Sequence, residues 1–280
     1  MNPVLLDGKK VADEIKKDLT LRVAKLKEKN RVPVLATILV GSDPASATYV
    51  RMKQKACETV GMLSRKVEMP QTTTTQELLQ AIDALNQDPS VNGILLQHPV
   101  PHQIDERAAF DRILPEKDVD GVTTLGFGRI SFGVPAYACC TPAGMIRLLK
   151  EYKIPLVGKH AVVIGRSPIL GRPLSMLLLE ENCTVTICHS KTTGIDEIVR
   201  SADLVMAGVG KPKFVRGTWI KDGAVVMDAG YNPGNIGDVD FEECAKKASC
   251  ITPVPGGVGP MTITMLMEHT VQSAEKLIGL

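Results

Sequence analysis

The sequence predicts two α/β domains with a cleft between them, the second a Rossmann-type doubly wound parallel sheet. Three observations carry this expectation. The chain has 280 residues, more than one typical domain, so two domains of about 140 are the natural division. Strand-like and helix-like patterns alternate along it, as in a mostly parallel sheet. The stretch from Val157 to Ser190 reads strand, glycine turn, helix, strand, a unit that seats a dinucleotide pyrophosphate on a helix N-terminus.

Taken in order, Val11, Ile15, Leu19, Val23 and Leu26 make an apolar stripe with Lys and Glu opposite, predicting a helix over 9–29. Pro33 opens a strand, Val34 to Val40, that ends at Gly41. Asp43-Pro44 starts a helix, with proline tolerated at its first position, and Gly61 stops it. Ser64 to Met69 reads as a strand, and Thr74-x-x-Glu77 ahead of Leu78 and Leu79 is a capping box. Asn92 to Gln97 is the next strand. From Phe110 to Gly133 the chain is polar and glycine-rich, and a functional loop with a hinge is expected there. Thr141-Pro142 begins a helix through Lys150, which leads into the strand Ala161 to Ile164. A helix follows from Leu174 to about Glu180, then strands at Thr184 to Cys188, Ala202 to Ala207 and Ala224 to Asp228. Thr252 to Pro260, crowded with proline and glycine, is expected to be irregular, and a last helix runs from about Thr262 to Leu277.

Composition narrows the function classes. With 44% hydrophobic and 23% charged residues the chain can bury an ordinary core. A net charge of +2 argues against a broad nucleic-acid face. No apolar run approaches the roughly 20 residues of a membrane span, and the first ten residues lack a signal-peptide pattern. Seven cysteines form no C-x-x-C and leave one over from any pairing, which suits reduced thiols in a cytoplasmic setting; no metal site is suggested.

The loop Gly165-Arg-Ser-x-x-x-Gly171-x-Pro173 departs from G-x-G-x-x-G: Ser167 replaces the second glycine, and the last comes one residue late. Alone it is weak, since structural turns of this look are common. The end of the next strand sharpens it. An NAD site usually places Asp or Glu there for the ribose 2′-hydroxyl, whereas this chain has His189, Ser190 and Lys191, with Arg166 in the loop below. Donors and positive charge suit a 2′-phosphate, so NADP is the expected cofactor; a solvated basic turn is the alternative.

Tyr49 and Lys53 lie four apart on one predicted helix face. They are either a surface lysine beside a half-buried tyrosine or a pocket lysine able to move a proton. Gln97 ends a parallel strand, where ligands gather, and could orient a catalytic group. His98 beside it is ambiguous, since a lone histidine is more often a packed or capping residue than a catalyst. Lys117-Asp118-Val119-Asp120-Gly121 holds two carboxylates that are solvated loop charges, or acceptors for a substrate's amino and ring N–H groups. The stiff Pro253 to Pro260 segment is either a crossover or a ligand wall.

Read together, these stretches resemble the bifunctional methylenetetrahydrofolate dehydrogenase/methenyltetrahydrofolate cyclohydrolase family along essentially the whole chain. The likeness rests on Val40-Gly-Ser-Asp-Pro-Ala-Ser-x-x-Tyr49-Val-x-x-Lys53-x-Lys-x-Cys, Gly93-Ile-Leu-Leu-Gln97-x-Pro and Lys117-Asp-Val-Asp120-Gly. It continues in Cys140-Thr-Pro-x-Gly, the Gly165 loop, and Pro253-Val-Pro-Gly-Gly-Val-Gly-Pro-Met-Thr. The resemblance implies oxidation of methylenetetrahydrofolate with NADP, then hydrolysis of the methenyl product to 10-formyltetrahydrofolate. It implies Lys53 as the catalytic lysine, Tyr49 beside the substrate, Gln97 bonded to the lysine, and Asp120 holding the pterin; these four form the implied catalytic set. Pro255, Gly256 and Gly257 match a folate-contacting loop, and Gly165, Arg166, Ser167, Ser190 and Tyr231 match NADP-contacting positions; Gly171 and His189 join them from the loop and strand-end reading. A homodimer is likewise implied.

On this reading the folate domain spans about 1–140 and is joined by the final helix, 266–280, while 141–265 form the NADP domain. The chain departs from the family where His98 replaces a common Leu, Lys191 a common Arg and Cys139 a common Pro, and in Asp228-Ala-Gly-Tyr-Asn. Three other readings stand beside it: a dehydrogenase without hydrolysis, another two-domain NADP dehydrogenase of the shikimate type, and a non-enzymatic NADP-binding regulator.

Overall fold

The computed structural model describes residues 2–279, apart from the side chain of Ala45. The strands are β1 (Val4–Leu5), β2 (Val34–Val40), β3 (Leu63–Met69), β4 (Gly93–Leu96), β5 (His160–Ile164), β6 (Thr184–Cys188), β7 (Leu204–Ala207), β8 (Val225–Asp228) and β9 (Cys250–Ile251). The helices are α1 (Gly8–Glu28), α2 (Pro44–Thr59), α3 (Thr75–Gln87), α4 (Glu106–Arg112), α5 (Thr124–Ser131), α6 (Cys140–Glu151), α7 (Gly171–Glu180), α8 (Ile195–Arg200), α9 (Phe241–Ala245) and α10 (Val258–Lys276). The chain divides into two compact units: Glu14–Ala138 with the chain from Ile263, and the chain up to Asp13 with Cys139–Thr262.

The first unit holds a three-stranded parallel sheet in the order β3-β2-β4. Side chains alternate across a strand, so β2 has two faces. Ala36, Ile38 and Val40 meet Leu78, Ile82 and Leu85 of α3 and Ala109 and Phe110 of α4 in one core cluster. Leu35, Thr37 and Leu39, with Leu95 and Gln97, project from the other face. The capping box at Thr74 is complete: its hydroxyl accepts from the Glu77 N–H, and the Glu77 carboxylate accepts from the Thr74 N–H at 2.8 Å.

The second unit is built on a six-stranded, wholly parallel sheet, β1-β9-β8-β7-β5-β6. Because β6 and β7 flank β5 on opposite sides, the winding reverses at β5, and such a switch point is where doubly wound sheets bind ligands. β5, β7 and β8 are apolar and buried almost throughout, as strands covered on both faces must be.

Three expectations are corrected. The stretch from Phe110 to Gly133 is not simply loop: Thr123 caps α5 by accepting from the Gly126 N–H at 2.9 Å, and Ile130 is buried, so a short amphipathic helix forms despite its glycines. The last helix starts at Val258, inside the segment expected to be irregular, because Pro260 falls in its first turn, where a missing N–H breaks no helical bond. The N-terminal residues, placed with the folate domain from sequence, belong to the second unit. There Val4 and Leu5 add a parallel strand beside Cys250 and Ile251.

Candidate functional site

Helix α2 carries Tyr49, Lys53 and Cys57 at successive turns. Asp43 caps it by accepting from the Ser46 N–H at 2.7 Å, and Pro44 opens it without an N–H to lose. Lys53 is half-buried, and its Nζ donates to Gln97 Oε1 at 3.0 Å. Gln97 is only 8% exposed at the end of β4, and its amide donates to the His98 carbonyl at 2.7 Å. That second bond selects the amide orientation in which the oxygen faces the lysine. Gln97 thus presents a neutral amide oxygen to the lysine. Tyr49, one turn from Lys53, leaves 43% of its surface open to solvent. Cys57 is buried, and burial pushes its thiol up to about 12, which removes it as a nucleophile.

The predicted carboxylate pair separates into two jobs. Asp118 is buried and accepts from the Val122 and Thr123 N–H groups at 3.0 and 3.1 Å, closing the turn ahead of α5. Burial raises its carboxyl to about 6. Asp120 is half-buried. Between them, the Val119 carbonyl accepts from His269 Nδ1–H at 2.8 Å; burial lowers the pKa of that imidazole, and of its two neutral tautomers the one protonated at Nδ1 makes this bond. His98 reaches away from Lys53, its Nδ1 lying 2.5 Å from Glu106 at the start of α4. An apolar cavity of about 1100 Å³ beside α3, α4 and α5 is lined by Leu114, Leu125, Phe132 and Val134 and contains none of the predicted site residues.

In the second unit the glycine loop leaves β5 at the switch point. Gly165 has φ +128°, and an added Cβ would run into the Gly208 carbonyl at the end of β7. A Cβ on Gly171 would strike the Gly165 carbonyl, so that glycine sets the close packing of α7 on the loop. No side chain caps α7; the Arg172 N–H in its first turn donates to the Ser167 carbonyl at 3.1 Å. Arg166 and Ser190 are exposed, and Ser167 is half-buried. His189 is turned onto its own backbone: its N–H donates to Thr192 Oγ1 at 2.9 Å, and its Nδ1 accepts from the Lys191 N–H at 3.2 Å. Tyr231, 60% exposed beyond β8, donates its hydroxyl to Asn235 at 2.6 Å. The Pro255-Gly256-Gly257 turn also belongs to this unit. Gly256 has φ +108°, and its carbonyl accepts from the Lys9 N–H at 2.9 Å.

The residues that sequence reasoning passed over are those that brace these loops: His269, Glu106, Asp228 and Asp238. Only a carboxylate closely following glycines beyond a strand, as at Asp238, offered any signal. Among the described residues no helix is long and apolar enough to cross a membrane, and no group of three or more His, Cys, Asp or Glu side chains could hold a metal ion.

A doubly wound sheet with a glycine cradle at its switch point, in a chain with a second α/β unit, is the architecture of a dinucleotide-dependent enzyme. Comparison with known proteins gives the family. Residues 6–120 match the tetrahydrofolate dehydrogenase/cyclohydrolase catalytic domain, and residues 139–278 match the NAD(P)-binding domain of the same family. A protein of Shouchella clausii named bifunctional protein FolD is 61% identical over 276 residues, covering 99% of each chain. The crystal structure of the bifunctional FolD methylenetetrahydrofolate dehydrogenase/cyclohydrolase of Campylobacter jejuni superposes with a TM-score of 0.97 at 46% identity, covering 98% of this chain and 99% of that one. The Trypanosoma brucei dehydrogenase–cyclohydrolase, solved with NADP and an inhibitor, gives 0.95 at 38% identity, covering all of both chains. The chain belongs to the tetrahydrofolate dehydrogenase/cyclohydrolase family and is a bifunctional enzyme of one-carbon folate chemistry.

Proposed function

We propose that Lys53, held by Gln97, is the proton-handling centre of the hydrolytic step, with Tyr49 beside the substrate and Asp120 accepting hydrogen bonds from the pterin. The Lys53–Gln97 hydrogen bond carries this reading. The two reactions demand different things of the protein. In methylenetetrahydrofolate the carbon that loses hydride lies between two nitrogens whose lone pairs stabilise the cation. Oxidation therefore needs placement more than acid–base help. Hydrolysis needs water to attack the methenyl carbon and the adduct to open to 10-formyltetrahydrofolate, and both events move protons. A half-buried lysine with an oriented neutral acceptor and a neighbouring phenol supplies that.

NADP is the dinucleotide that the second unit fits, and when bound it accepts the hydride. Gly165, Ser167 and Gly171 would let its pyrophosphate approach the backbone, while Arg166, Ser190 and the His189–Lys191 turn would face the 2′-phosphate. Tyr231 borders the same site. Pro255, Gly256 and Gly257 form a folate-contacting wall. A homodimer in the cytoplasm completes the reading; seven buried cysteines free of disulfides support a reducing compartment.

Lys53→Gln should cut methenyltetrahydrofolate hydrolysis by about 100-fold or more while leaving measurable dehydrogenase turnover. Methenyl product would then accumulate alongside reduced NADP in a single spectrophotometric assay. Undiminished hydrolysis in that variant would remove Lys53 from the role.

A further inference from the structure

We infer that Asp238, a residue that contacts neither folate nor reacting atoms, is a positioning residue for the dinucleotide site; the inference rests on the cofactor reading above. Asp238 is fully buried. One carboxylate oxygen accepts from the Val209 and Gly210 N–H groups at 2.5 and 2.8 Å, and the other accepts from the Lys211 N–H at 2.8 Å and the Asn232 side-chain amide at 3.1 Å. Three consecutive N–H groups converge on one anion because Gly210 adopts a left-handed backbone, φ +65°. This concave arrangement of amides binds anionic ligands in other proteins. Here the chain fills it with its own carboxylate.

The consequence lies in what the two tethered loops border. The loop after β7 begins at Gly208, whose N–H donates to the Ile164 carbonyl at 3.0 Å and whose own carbonyl sits where a Gly165 side chain would be. The loop after β8 carries Tyr231 between Gly230 and Asn232. A Cβ on Gly230 would collide with the Asp238 carboxyl, and Asn232 donates to it. The Asp238 N–H is itself held by Asp228 Oδ1 at 3.0 Å. One buried carboxylate thus sets the spacing between the β7 loop that abuts the glycine cradle and the β8 loop that presents Tyr231. Four donors to one carboxyl group make this spacing stiff.

The enzyme provides its own control, since hydrolysis of methenyltetrahydrofolate requires no dinucleotide. Asp238→Asn keeps the shape but replaces one accepting oxygen with an amide NH2 that faces other donors. It should weaken NADP binding at least tenfold by calorimetric titration, with hydrolysis measured in the absence of NADP staying within twofold of wild type. Gly210→Ala, with open space around its Cα but a left-handed backbone, should weaken NADP three- to tenfold without touching the core. An unchanged NADP dissociation constant in both variants overturns the inference, as does a parallel loss of hydrolysis in both, which would make Asp238 a general support of the fold. Arg166→Ala tests the underlying reading separately. If it binds NADP as wild type does, the placement of the cofactor fails; if it binds weakly while Asp238→Asn binds normally, only the inference fails.

Discussion

At the scale of single residues, the site is built from partners that a sequence names only one at a time. Lys53 and Gln97 are 44 positions apart, and what joins them is the parallel pairing of β2 with β4 beneath α2. Arg166 needs no partner of this kind. It is exposed in the loop leaving β5, and the role proposed for it is a charge-assisted contact to a 2′-phosphate. Arg166→Ala should raise the KM for NADP by about tenfold, the cost of losing about 1.5 kcal/mol of such a contact, and change the KM for NAD by less than twofold. Steady-state measurements with both dinucleotides check this; an equal effect on the two would deny Arg166 a role in choosing between them.

At the scale of elements, local chemistry and burial compete. Thr74 and Glu77 announce α3 in four residues because the capping box is satisfied locally, whatever the rest of the chain does. Thr74→Ala should cost about 1 kcal/mol, seen as a lower urea midpoint with an unchanged slope, because the Glu77 N–H then loses its acceptor. Helix α5 shows the opposite case. Its own sequence, Thr-Leu-Gly-Phe-Gly-Arg-Ile-Ser, is a poor helix former, and it folds because Asp118 closes the preceding turn, Thr123 caps it and Ile130 is buried. The start of α10 misled for a related reason: proline and glycine read as interruption until a helix has a first turn in which to place them.

At the scale of the whole molecule, each unit contains a carboxylate buried as part of its loop architecture. Asp118 in one and Asp228 in the other are both raised by burial from an ordinary 3.8 to about 6. A carboxyl whose folded pKa lies above its unfolded value favours folding when protonated, so this contribution is present below about pH 4 and is lost as pH rises toward 6. A displacement of that size corresponds to about 3 kcal/mol for each group. Asp88 works in the opposite direction: its hydrogen bonds from Ser90 and the neighbouring Arg65 hold it at about 2, and its contribution is lost only below pH 4. His269, lowered by burial, works against Asp118 and Asp228 in the same window, so the clean readout is a difference. Between pH 4 and 6 the thermal midpoint of Asp118→Asn should lose the downward slope that Asp118 supplies, lying above the wild-type trend by a margin that grows toward pH 6. Identical slopes in the two would show that Asp118 is not the group responsible.

The sequence by itself determined the parts whose causes are local. These include the alternation of strand and helix, the strand–glycine–helix unit around Gly165, the cap at Thr74, the helical spacing of Tyr49 and Lys53, and the motifs that mark the family. Tertiary structure decided what depends on contacts between distant segments. It set Gln97 against Lys53, gave Asp118 to the fold and left Asp120 only half-buried. It also paired the N-terminal strand with β9 and enclosed Asp238 among three backbone amides. The physical reason is that a side chain's periodicity and propensity act over a few residues. Its burial, its hydrogen-bond partners and the protonation state they favour are properties of neighbours that only the folded chain brings together.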